Sequence, residues 1–144
     1  MSGTVERIMS ELETRLSNVQ SFVSFARSDN EVFEGVDDLP LLRLRQGEDS
    51  VSLLTLTRSG GTCECVLTIS IDIVTGIGTQ NIETTLNNLR RNVLQSIYAS
   101  NFTFFQVYDE GASEPSIDQI DGSAMGALTM NLKVHYDRPL TDPT

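Results

Sequence analysis

The residues of this chain best equipped for chemistry are His135, its single histidine, and the pair Cys63 and Cys65. An imidazole can shuttle a proton or bind a metal, and a thiolate can attack an electrophile or hold a soft cation. The Cys-x-Cys spacing lacks the paired CxxC motifs of a zinc site, and two cysteines cannot build a disulfide framework. Two small core side chains in a reducing compartment account for them. The alternative is a metal site drawing on Cys63, Cys65 and His135 together. His135 and Asp137 fall on the polar parity of the last strand, but no nucleophile is at hand: Gly122-Ser123-Ala124 does not match the G-x-S-x-G elbow, nor does any other serine. The carboxylates gather in stretches that read as solvated loops, so acid/base work is not needed to explain them. No enzymatic activity, metal or cofactor is expected.

Gly76-Ile77-Gly78 follows a strand and precedes a helix, the setting in which a G-x-G-x-x-G turn cradles a pyrophosphate. Asn81 stands where the third glycine belongs, and the preceding strand has one polar face, whereas the first strand of a dinucleotide fold is buried on both. A turn that needs glycine flexibility is the simpler reading. A small nucleotide-binding or hydrolytic domain using the Gly76 to Asn81 loop is the distant alternative.

The strongest positional pattern is Thr62 to Val74. Cys63, Cys65, Leu67, Ile69, Ile71 and Ile73 share one parity, and Glu64, Thr68, Ser70 and Asp72 the other, with Val66 and Val74 as exceptions. This is a half-buried strand of an antiparallel sheet with one wet face. Val5, Ile8, Met9, Leu12, Leu16, Val19 and Val23 repeat at helical spacing, with Thr4 to cap and Arg27 near the end of a long first helix. Residues 28 to 38 carry five acids and no base and read as a solvated loop. Leu42-Arg43-Leu44-Arg45 opens a short strand after Pro40, with its two arginines on the exposed side. Val51 to Arg58 forms a further strand, joined through Ser59-Gly60-Gly61 to the long one as a hairpin.

Ile82, Leu86, Leu89, Val93 and Ile97 mark a second amphipathic helix, which carries Arg90 and Arg91. Phe102 to Tyr108 reads as an aromatic strand, Asp109 to Asp121 as an acidic loop, and Gly126 to Tyr136 as an alternating final strand. Phe104 and Phe105 are adjacent, so a strand must turn them to opposite sides; at least one lies outside the core, between copies, or both are buried under a helix. The expected fold is α+β: a mainly antiparallel or mixed sheet with two amphipathic helices on one face. Residues 1–136 form a single domain, and 137–144, with two prolines and no periodicity, form an extended C-terminal arm. There is no internal repeat and no low-complexity segment.

The chain has 144 residues and a formal charge of −10, with nine arginines among its ten basic residues and Lys133 as its lone lysine. That balance argues against a grip on nucleic-acid phosphates, which needs clustered bases. Arginine favours fixed contacts with carboxylates, hence protein partners. No segment has the unbroken apolar length of a membrane span, and MSGTVERIMSELE lacks the basic start and apolar run of an export signal, so a soluble, unexported protein without membrane contact is expected.

The long N-terminal helix, the acidic stretch leading to Leu39-Pro40-Leu41-Leu42, the hairpin ending in ISIDIV, the amphipathic helix and the alternating strand closing on Tyr136 together resemble the tail terminator proteins of long-tailed bacteriophages. The resemblance covers nearly the whole chain and rests on pattern and order. It implies an α+β subunit that forms a hexameric ring with copies of itself on the last ring of the tail tube protein, ends tube growth, and receives the head through its connector or neck protein. In contractile tails similar proteins also touch the sheath protein. The protein would be assembled in the host cytoplasm and sit in the virion, at the head-proximal end of the tail. Another ring of the head-to-tail junction, or a tail completion protein, is the alternative within that class. Arg43, Arg45, Arg90, Arg91, Phe104 and Phe105 are then candidate contacts between subunits or with the tube. Asp109, Glu110, Glu114, Asp118 and Asp121 are candidate channel-facing acids, past which DNA slides without specific binding because like charge repels it.

Overall fold

The computed structural model of the chain describes residues 3–27, 39–58, 60–76, 81–120 and 123–141; of 118–120 and 123–124 it describes the backbone alone. The acidic stretch 28–38, Ile77 to Gln80, Asp121-Gly122 and the last three residues lie outside the described residues. The element order is α1 (Thr4–Ser17), β1 (Ser24–Arg27), β2 (Leu41–Thr57), β3 (Gly60–Gly76), α2 (Ile82–Ile97), β4 (Phe105–Ala112), β5 (Ser116–Ile120) and β6 (Ser123–Pro139). The fold is α+β, as the pattern of the sequence leads one to expect.

The six strands make one sheet in the order β1-β2-β3-β6-β4, with β5 also on β6. Only β1 runs parallel to its neighbour; every other pair is antiparallel. The strict alternation of β3 does what its sequence implies: Cys63, Cys65, Leu67, Ile69, Ile71 and Ile73 are buried on the helix side. Leu128, Met130, Leu132, Val134 and Tyr136 of β6 continue that face. Ile8, Met9, Leu12 and Leu16 of α1, with Leu86, Leu89, Val93 and Ile97 of α2, close over it as a single core. Each fully buried aliphatic contributes about 1.5–3 kcal/mol by leaving water.

The close approach of α2 to the sheet depends on Gly126. A Cβ there would collide with the side chain of Ile82, so α2 can lie down at its first turn only because β6 has no side chain at that point. Asn81 starts the helix, its side chain accepting from the amides of Glu83 (2.8 Å) and Thr84 (3.4 Å). The far ends of both helices are tied by Arg15, whose guanidinium donates to the carbonyls of Ile97, Ser100 (2.7 Å) and Asn101 (3.1 Å) and lies 3.9 Å over the Phe102 ring. Orphan carbonyls at the end of α2 are thereby satisfied.

Five expectations are corrected. The first helix stops at Ser17, and Ser24–Arg27 is a strand beside Leu41–Leu44. Val19 and Val23 match a helical repeat by coincidence, and Arg27 serves Glu6 and Glu13 of α1 (2.8 and 3.3 Å) instead of its own helix end. Thr4 is buried as the first helical residue, behind an N-cap at Gly3, and so does not occupy the cap position. The two strands read at Leu42 and Val51 are one, bent by irregularities between Gln46 and Asp49 and between Val51 and Leu53 that break its alternation. The span read as an acidic loop is mostly edge strand, with β4 reaching Ala112 and β5 resuming at Ser116. At the C-terminus, Asp137, Arg138 and Pro139 complete β6 opposite Glu64, Cys63 and Thr62 instead of opening an arm.

Candidate functional site

Among the described residues the sheet's second face carries no helix, and its middle is a polar network. Arg45 of β2 grips Asp72 of β3 through two bonds, Nε to Oδ2 at 2.7 Å and Nη2 to Oδ1 at 2.9 Å. The Thr129 hydroxyl of β6 donates to the same carboxylate at 2.8 Å. One side chain thus joins three neighbouring strands by charge-assisted bonds. Towards β4, Lys133 pairs with Glu110 at 3.2 Å, and the Tyr108 ring stands edge-on to His135 with centroids 4.7 Å apart. Beyond them Glu64 and Asp137 face each other directly across β3 and β6, beside a cleft of about 420 Å³ that Ser52, Thr103, Phe104, Gln106 and His135 also line.

The register separates the chemically equipped residues. His135 pairs with Val66 and points away from the helices, whereas Cys63 and Cys65 alternate to the buried side. The sheet therefore stands between the imidazole and the thiols, and the three cannot converge on one ion. Among the described residues no group of three or more His, Cys, Asp and Glu is placed to hold a metal. Burial pushes the Cys65 thiol up, opposite to what a reactive cysteine needs. At the turn before α2, the amides of Glu83 and Thr84 that a phosphate would require are held by Asn81.

The largest departure from an ordinary monomer surface is the outer half of β2. β1 covers this strand only from Leu41 to Leu44, and among the described residues nothing pairs with its edge beyond that point. Every residue from Gln46 to Thr57 is exposed, including Val51, Leu53, Leu54 and Leu56 at 51, 51, 50 and 69%. Val51 and Leu54 stand opposite Cys65 and Cys63 and so continue the helix-side face past the helices; Leu53, opposite Glu64, takes the other face. Leu140, whose amide donates to the Gly61 carbonyl at 2.9 Å, adds a further exposed leucine near the tip. The result is a ribbon projecting from the body with apolar side chains on both faces and an open backbone edge. Proteins usually blunt such an edge with charge, proline or cover. Between Asp49 and Arg58 this one has neither charge nor proline, and among the described residues nothing covers it.

Where the body ends and the ribbon begins, Tyr136 donates its hydroxyl to Asp49 at 2.7 Å. Burial, together with that bond, pushes the Tyr136 phenol far above its ordinary range, so it stays a donor.

The candidate contact residues are dispersed. Arg45 is committed to Asp72 within its own copy, with Arg43 half-buried beside it, directly opposite the same aspartate. Arg90 of α2 reaches Asp109 of β4 at 3.5 Å, while Arg91 is exposed. Phe105 is in the core; Phe104 is half-buried, edge-on to Phe105 at 4.9 Å and 4.4 Å beneath the Arg7 guanidinium. Of the candidate acids, Asp109 and Glu110 lie on β4 with internal partners, Glu114 is exposed between β4 and β5, Asp118 lies in β5, and Asp121 is outside the described residues. The ribbon's four exposed aliphatics were missed as a site. The run VSLLTLT held the signal, since apolar residues at both parities fit a strand without a wet face. Comparison with protein-family models and with curated proteins finds no match to this chain.

Proposed function

We propose that this protein is a structural assembly subunit that forms a ring with copies of itself, acting as a tail terminator at the head-proximal end of a long bacteriophage tail. The observation that carries the self-assembling part is the uncharged edge of β2 from Val51 to Leu56, with its four exposed aliphatics and, among the described residues, no strand beside it. A contiguous apolar surface with unpaired backbone groups is costly in water and is favoured when another chain covers it. The terminator role rests on the order of elements and on ISIDIV and the Tyr136 strand, where the chain resembles that family. The charge of −10 suits a passage that DNA traverses without sticking. In this reading the ring caps the tail tube, ends its growth and offers a docking surface to the connector.

Native mass spectrometry of the purified protein, with electron microscopy of the same sample, tests the reading. Closed rings of uniform subunit number are expected. A strict monomer at high concentration would overturn it, and rings that leave tube length uncontrolled in an assembly reaction would remove the terminator assignment.

A further inference from the structure

Cys63 and Cys65 are buried nucleophiles to which the assembly reading gives no part. Both lie on the helix side of β3, two residues apart, each 2% exposed and without a disulfide. They sit where the body meets the ribbon: Cys63 stands between Leu54 of β2 and Arg138 of β6, and Cys65 between Val51 and Tyr136. Leu54 and Val51 are exposed, so solvent-facing side chains flank the thiols on the β2 side. We propose that Cys63 and Cys65 together hold one copper(I) ion between their sulfurs, with Arg138 balancing the charge of the complex.

Spacing, ligand number and charge each select that ion. β3 keeps an unbroken register with β6 through this stretch. Same-face side chains two residues apart on a regular strand start about 6.6 Å from each other. A disulfide needs its Cβ atoms about 3.8 Å apart, so the pair cannot oxidise to one without breaking the strand. Two metal–thiolate bonds of about 2.3 Å in line place the sulfurs about 4.6 Å apart, which two Sγ atoms leaning together from such positions can reach. Thiolates are soft ligands that select copper(I). Zinc takes four ligands, and among the described residues no third His, Cys, Asp or Glu is placed to join the two thiols. Each thiol releases its proton to solvent as its sulfur bonds the metal, so two protons leave and the bis-thiolate complex carries one negative charge. Burial pushes the Cys65 thiol up, against the pull of Tyr136 and Arg138. A charge under such cover needs a counter-ion, and Arg138 stands directly across from Cys63. Among the described residues no carboxylate pairs with Arg138, and its Nε is buried without a hydrogen-bond partner; both thiols and the Tyr136 phenol lie close enough to act on its charge.

Reduced protein is titrated anaerobically with copper(I) in the presence of excess glutathione, then read by native mass spectrometry, thermal denaturation and X-ray absorption at the copper edge. One ion per chain is expected, bound by two sulfurs only, with a raised melting temperature because the folded chain holds the metal better than the unfolded one. Cys63→Ser and Cys65→Ser should each lose the ion, Arg138→Gln should weaken binding at least about tenfold, and His135→Asn, on the other face of the sheet, should leave it unchanged. The absorption spectrum of the unaltered protein reads the ligand set without any variant, so a misfolded serine variant does not decide the outcome. Copper lost to glutathione, a lowered melting temperature, or a nitrogen or third sulfur on the metal would each overturn the proposal and return the two cysteines to plain core packing.

Discussion

Single side chains in this protein mostly join elements that are far apart in sequence. Arg15 completes the end of α2 over a separation of more than eighty residues, and Arg27 fastens β1 to α1 through Glu6 and Glu13. Arg27 holds the Glu6 carboxyl below the usual glutamate range, chiefly through its hydrogen bond, with burial opposing. A depressed carboxyl stabilises the fold above its unfolded pKa and loses that contribution as pH falls through the folded one. Glu6→Gln should therefore lower thermal stability at neutral pH, and its gap from the wild type should close below about pH 4. The pair is half-exposed, so the gap should stay under about 1 kcal/mol. Melting curves of both proteins between pH 7 and about pH 3 check this; a gap that does not change with pH would assign the loss to packing instead.

At the level of elements, Asn81 shows how one position can be misdirected by a motif and settled by a cap. Its amide side chain takes the orphan donors of α2, so Asn81→Ala should cost about 1 kcal/mol, and Asn81→Asp or Asn81→Ser should restore most of it. Thermal denaturation reads the difference as a shift of about 3 °C; an unchanged melting point would mean that the cap contributes nothing. The elements legible in the sequence were those with one dominant period: β3, α2 and β6 alternate or repeat cleanly because each has one face in the core. β1 was hidden because Val23 extended the spacing of α1 past its true end at Ser17. β2 was split because its bulges shift the parity twice, a tertiary feature with no local marker but Gly47, where a Cβ would press on the Thr68 carbonyl. The second half of β4, from Asp109, and β5 were read as loop because their acids suggest solvent, and an edge strand is solvated too. The ribbon was recognised as strand but not as a site, since only the three-dimensional structure shows that neither described helix reaches it.

For the whole molecule, two opposing tendencies decide association. In the proposed assembly the net charge of −10 would push copies apart, and the uncharged apolar ribbon would draw them together. Added salt screens the first and leaves the second intact. The oligomeric fraction should therefore rise between low salt and about 0.5 M sodium chloride, as read by light scattering. A fall would show that ion pairs hold the contact. The Asp72 junction matters for any such assembly in mechanical terms. A pull on the ribbon loads β2 and β3 in shear, and the single carboxylate shared by Arg45 and Thr129 passes part of that load to β6. Three strands must then slip together, so the ribbon behaves as a stiff lever rooted in the middle of the sheet and not as a hairpin that can be peeled away.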